Sequence, residues 1–169
     1  MSESNGETDV FRTGTGALEF APWRTPFSDA EVRILEVAYA PQPVQRCREF
    51  VITRLNGSSP AAALAVRVAD IDVGVVYRAS FGWISAFRVL DEHGLLQLWA
   101  KTDELGGRPA RTTFRVRNHA WSEESVISFS GTSDGWSFII ASDDDCLEVV
   151  CPEPPVIVEE GPWREPAAG

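Results

Sequence analysis

The stretch Trp136-Ser-Phe-Ile-Ile-Ala-Ser-Asp-Asp-Asp-Cys-Leu-Glu-Val-Val-Cys151 decides the class of this fold. Two runs rich in β-branched and aromatic residues, 136–142 and 146–151, flank three consecutive aspartates. Val, Ile, Phe and Trp suit the pleated surface of a sheet, and Asp suits turns. The stretch therefore reads as two hairpin arms that turn at Asp143-Asp144-Asp145. Pro152-Glu-Pro154-Pro155 halts the second arm, because proline brings no N–H to a ladder. Cys146 and Cys151 are an odd number of residues apart, so a strand sends them to opposite faces and they do not bridge each other.

Similar runs extend outward from this hairpin. Residues 111–117 alternate, with Thr112, Phe114 and Val116 on one side and Arg111, Thr113, Arg115 and Arg117 on the other. Leu95–Lys101 reads as a strand, as does Val126–Ser130, which would pair with 136–142 across a glycine-bounded loop. Val156–Val158 is suited to a final edge strand. Upstream, Ser28-Asp29-Ala30-Glu31 has the form of a capping box and would open a helix over 28–39. Residues 44–55 and 60–76 carry both helix and strand signals. The β-branched content tips all three segments toward strand.

The sum is a mainly-β, single-domain antiparallel β-sandwich or open barrel of about nine or ten short strands, with room for one short helix in the first third. The domain is expected over 18–160, between flexible segments at 1–17 and 161–169. Six Trp spread along the chain would supply much of its core.

Charge is sorted along the chain. Residues 123–169 carry eleven acids and one base, within a net charge of −10 for the whole protein. Such a field attracts basic partners and repels nucleic acid and anionic membrane. The N-terminus has no apolar run of a signal peptide, no stretch approaches a membrane span, and the three cysteines are an odd set. These features predict a cytoplasmic protein. The two histidines, His93 and His119, adjoin no nucleophile motif, and no Cys or His spacing suits a metal. Asp70-Ile71-Asp72 and Asp143–Asp145 lack the pattern of a calcium loop. No enzyme, cofactor or metal is expected. The basic stripe Arg111/Arg115/Arg117 is expected to pair with the chain's own acids.

What remains is the acidic segment. Glu123, Glu124, Asp134, Asp143, Asp144, Asp145 and Glu148 would form one exposed surface that meets a basic protein partner, with Trp136 as an aromatic anchor. Two other readings stand beside it. One is a sandwich or barrel holding an apolar small molecule against Trp83, Trp99 and Phe87. The other is a structural homo-oligomer, which needs an exposed apolar edge such as Val156–Val158.

Pro26-Phe27-Ser28-Asp29-Ala30-Glu31-Val32 resembles the opening of small bacterial immunity-type proteins of polymorphic toxin systems. The Trp136-led hairpin ending at Cys151 is similar to their closing strands. Ser28 stands where that family has His in a His-Asp pair. The resemblance implies a mainly-β, acidic, non-enzymatic protein that neutralises a basic toxin by direct binding, and it brings no binding residue with it.

Overall fold

The computed structural model describes residues 17–39, 64–91, 109, 111–129, 132 and 134–164. Among these, nine strands form two antiparallel sheets. They are β1 (Glu19–Pro22), β2 (Val32–Tyr39), β3 (Leu64–Asp70), β4 (Val75–Phe81), β5 (Ala86–Asp91), β6 (Thr113–Arg117), β7 (Ser137–Ala141), β8 (Asp145–Val150) and β9 (Val156–Pro162). One sheet has the order β1-β6-β7-β8-β5 and the other β2-β3-β4-β9. Neither closes into a barrel, so of the two expected architectures the sandwich is the one observed.

The inner faces meet over Leu64, Val66, Val68 and Phe81 from one sheet and Phe138, Ile140, Leu147 and Val149 from the other. Trp23 and Phe27 join them from the segment between β1 and β2. The outer face of the five-stranded sheet is buried as well, through Phe114, Val116, Ile139 and Cys146. A sheet covered on both sides reads as a continuous apolar run rather than an alternation. That is why both Ile139 and Ile140 are buried, along with every residue of β8 from Cys146 to Val150.

The ambiguous segment after Ser28 is a strand from Val32 onward. Its capping-box residues belong to the turn before it, where the buried Ser28 Oγ accepts the Thr25 N–H at 2.5 Å. Residues 64–76 supply β3 and the start of β4, as their branched side chains suggested. The segments 44–55 and 95–101, with His93, Trp99 and Cys47, lie outside the described residues. β9 continues through Gly161 and Pro162, where Pro162 stands opposite Val75, beyond the expected domain end at 160.

Two expectations need correction. Val126–Ser130 is not a hairpin strand. Helix α1 (Ala120–Glu124) is followed directly by α2 (Val126–Phe129). β7 is already paired with β6 on one side and β8 on the other, so it has no edge left for a third strand. Among the described residues the short helices therefore fall in the last third of the chain. Nor does tryptophan dominate the core. Of the described Trp only Trp23 is buried, and Trp83 is 48% exposed. Trp121, Trp136 and Trp163 are half-buried at the rim, each beneath arginine: Arg88 at 4.5 Å, Arg117 and Arg115 at 4.7 and 5.2 Å, and Arg33 at 5.9 Å.

Candidate functional site

Strand register divides the expected acidic surface in two. β7 begins at Ser137 opposite Val116, and at its far end the Ala141 N–H bonds to the Thr112 carbonyl at 2.8 Å. Residues before 137 and after 141 therefore emerge at opposite ends of the sandwich, roughly 20 Å apart at ~3.3 Å per residue. Asp143 and Asp144 are exposed in the β7–β8 turn, and Asp145 opens β8 half-buried. Ser142 closes that turn, its N–H and Oγ donating to the Asp145 carbonyl at 2.8 and 3.0 Å. Asp134 and Trp136 lie at the other end, together with exposed Glu123 and Glu124 on α1. The eight expected residues do not make one surface.

A different set of carboxylates gathers around Asp143. An open cleft of about 300 Å³ is lined by Asp29, Glu31, Arg111, Thr112, Ser142 and Asp143, among others. Hydrogen bonds from strand β6 and its approach hold the 25–30 turn there. Thr112 Oγ1 donates to the Ala30 carbonyl at 2.7 Å, the Thr112 N–H to the Ser28 carbonyl at 2.9 Å, and Thr113 Oγ1 to the Trp23 carbonyl at 2.8 Å. The β3–β4 turn joins from the other sheet. Its Ile71 N–H bonds to the Glu31 carbonyl at 2.9 Å, and Asp72 Oδ2 accepts the Glu31 N–H at 3.0 Å. Gly74, at φ +68°, lets that turn close onto Asp70. Asp91 stands opposite Asp145 at the same end.

Carboxylates from four separated parts of the chain thus converge on one end of the sandwich. Among the described residues Arg111 is the guanidinium lining the cleft, with its Nε 3.5 Å from Asp29 Oδ1. Both side chains are well exposed, so this pair neutralises little of the local field. Asp29, Glu31, Asp72 and Asp91 escaped a reading that sorted acids by position along the chain. The signal available for Asp29 and Glu31 was a turn-forming stretch just before a strand, and for Asp72 a turn flanked by two apolar runs.

Glu148 has a separate role. It is fully buried on the outer face of the five-stranded sheet and so is no part of an exposed acidic surface. Its Oε1 accepts from Ser137 Oγ at 2.5 Å and lies 2.6 Å from His119 Nε2, while Oε2 accepts from Arg88 Nε at 2.8 Å and its terminal nitrogen at 2.6 Å. Burial alone would push the Glu148 carboxyl up. The hydrogen bond and charge of His119, with Arg88 and Ser137, outweigh that and hold it below the usual carboxylate value. Asn118, at φ 59°, turns the chain after β6 so that His119 lies over the sheet. His119, Trp121 and Phe129 then pack edge to face, with ring centroids 5.4 to 6.5 Å apart. The His119 Nδ1 is buried without a hydrogen-bond partner. Carboxylate and imidazole are both closed to solvent, and the cluster's evident work is to fasten the helical segment to the sheet.

The arginine stripe partly pairs as expected. Arg117 reaches Glu19 on β1 at 2.7 Å and Arg111 approaches Asp29, whereas Arg115 lies over Trp136. Of the three residues expected to line an apolar ligand site, Trp99 lies outside the described residues. Trp83 is exposed, and the Phe87 ring packs against Tyr39 at 5.3 Å. Among the described residues no group of three or more His, Cys, Asp and Glu is placed to hold a metal ion. No described helix is long and apolar enough to cross a membrane. Comparison with protein-family models, curated proteins and solved structures found no match to this chain.

Proposed function

We propose that this chain is a non-enzymatic binding module that captures a basic protein at the acidic end of its sandwich, as an immunity protein does with a basic toxin. One observation carries the reading. Asp29, Glu31 and Asp143, brought from distant parts of the sequence, line an open cleft to which the described residues contribute one guanidinium. A cleft whose charged lining is mostly of one sign focuses the field and speeds the encounter with an opposite charge. Its volume suits a lysine or arginine side chain, and Asp72, Asp91 and Asp144 extend the field around it. Electrostatic docking of this kind sets association rate and partner choice more than final affinity.

The test uses a synthetic oligo-arginine peptide as the basic probe and Asp29→Asn/Glu31→Gln/Asp143→Asn as the variant. Association with the native protein should fall steeply as salt rises. The variant should bind about tenfold more slowly at low salt, with a flatter salt dependence. Its melting temperature should stay nearly unchanged, because surface substitutions of this kind alter stability little. Equal rates for both proteins would remove the cleft from the account.

A further inference from the structure

We propose that β9 is a self-pairing edge, through which two copies of this chain form a two-fold dimer. The four-stranded sheet ends at β9 on one side and at β2 on the other. The two edges differ. Each edge carries one bulge, β2 between Ile34 and Glu36 and β9 at Glu160; on β2 it falls mid-strand beside Arg33 and Glu36, devices that blunt an edge, whereas residues 156–158 of β9 lie clear of theirs. β9 presents Val156 and Val158, 67% and 55% exposed, with no strand beyond them among the described residues. Ile157 between them faces the core.

The sequence of this edge complements itself in one antiparallel register. Residues that face each other across a sheet must lie on the same face, so a two-fold axis has to pass through a residue. Centred on Ile157, the axis sets Val156 of each copy against Val158 of the other and pairs the two Ile157 residues. Glu159 then faces Pro155, and Glu160 sits in the bulge beyond the paired stretch, so no acid opposes an acid. Glu160 is in any case engaged within its own sheet by Arg67 at 2.7 Å and by Arg78. A register centred on Glu159 would instead bring two carboxylates together, at a cost. The prolines at 154 and 155 keep the paired stretch short. Such an interface is isologous and uses up the edge on both copies, so it stops at the dimer.

The dimer brings together two chains of net charge −10, so its salt dependence is opposite in sign to capture of a basic partner. Sedimentation velocity of the full chain should show a monomer–dimer equilibrium that shifts toward dimer as salt is added. Val156→Lys/Val158→Lys should weaken the dimer by about tenfold or more, and both side chains are exposed enough to leave the fold intact. In a Cys47→Ser background, an equal mixture of Val156→Cys and Val158→Cys proteins should form a disulfide-linked dimer far faster than either alone. A monomer at every salt and concentration, or unchanged association of the lysine variant, would overturn the proposal. Faster cross-linking of either cysteine variant by itself would overturn the register. None of these results bears on peptide binding at the cleft.

Discussion

Glu148 is the buried charged residue of β8, set between Leu147 and Val149, and its surroundings show what a buried carboxylate requires. Two bases and a hydroxyl hold it, and removing one partner from such a set leaves an unpaired charge in a site closed to solvent. Glu148→Gln is therefore expected to cost about 3 kcal/mol in urea unfolding. Arg88→Met/Glu148→Leu, which removes the main charge pair together, should recover much of that loss. The sign of the pH dependence follows from the lowered native value. The contribution of Glu148 is complete above the unfolded-state value of ~4.3 and disappears as pH falls through the depressed folded-state value. The Gln variant should accordingly lose less stability than the native protein as acid is added across that range. Identical acid limbs for the two proteins would show that the cluster contributes no linkage. The two buried thiols behave differently. Burial pushes both Cys146 and Cys151 up to about 12, so at neutral pH they are unreactive thiols. In a Cys47→Ser background, alkylation should follow global unfolding, and rapid labelling of the native protein would contradict their placement.

At the scale of elements, strands were legible where a segment has neighbours on both sides in the sheet or alternates cleanly. β6 was visible from its alternation, and β7, β8 and the first half of β9 from branched and aromatic runs bounded by Asp or Pro. The odd spacing of Cys146 and Cys151 placed them on opposite faces, and both are free and buried. The helical pair was not legible. Val126-Ile-Ser-Phe129 is too short for periodicity to separate strand from helix. What settles it is the saturation of β7 by β6 and β8, a long-range fact with no local mark. His119 was equally hidden, since its partner Glu148, and the Arg88 and Ser137 that share that carboxylate, come from three other elements. Phe129, only 4% exposed, is the residue that seals this segment against the sheet. Phe129→Ala should destabilise the protein by ~3–5 kcal/mol, and Trp121→Ala, at a half-buried site, by less. Equal losses would mean that Phe129 is not the seal.

At the scale of the whole molecule, net charge was readable from composition but its distribution was not. Acids near the end of the chain were expected to form one patch, yet the five residues of β7 separate Asp143 and Asp144 from Asp134, Glu123 and Glu124. Folding replaces that patch with another, in which Asp29 and Glu31 from the first turn meet Asp72 and Asp143. The account depends on this end, rather than the helical end, being where positive charge lands. The direct measurement is a ¹H–¹⁵N NMR titration of the protein with the oligo-arginine peptide. The account predicts that the first and largest shifts fall on Glu31, Thr112, Ser142 and Asp143 around the cleft. Shifts centred on Glu123, Glu124 and Asp134, or spread evenly over all exposed acids, would contradict it.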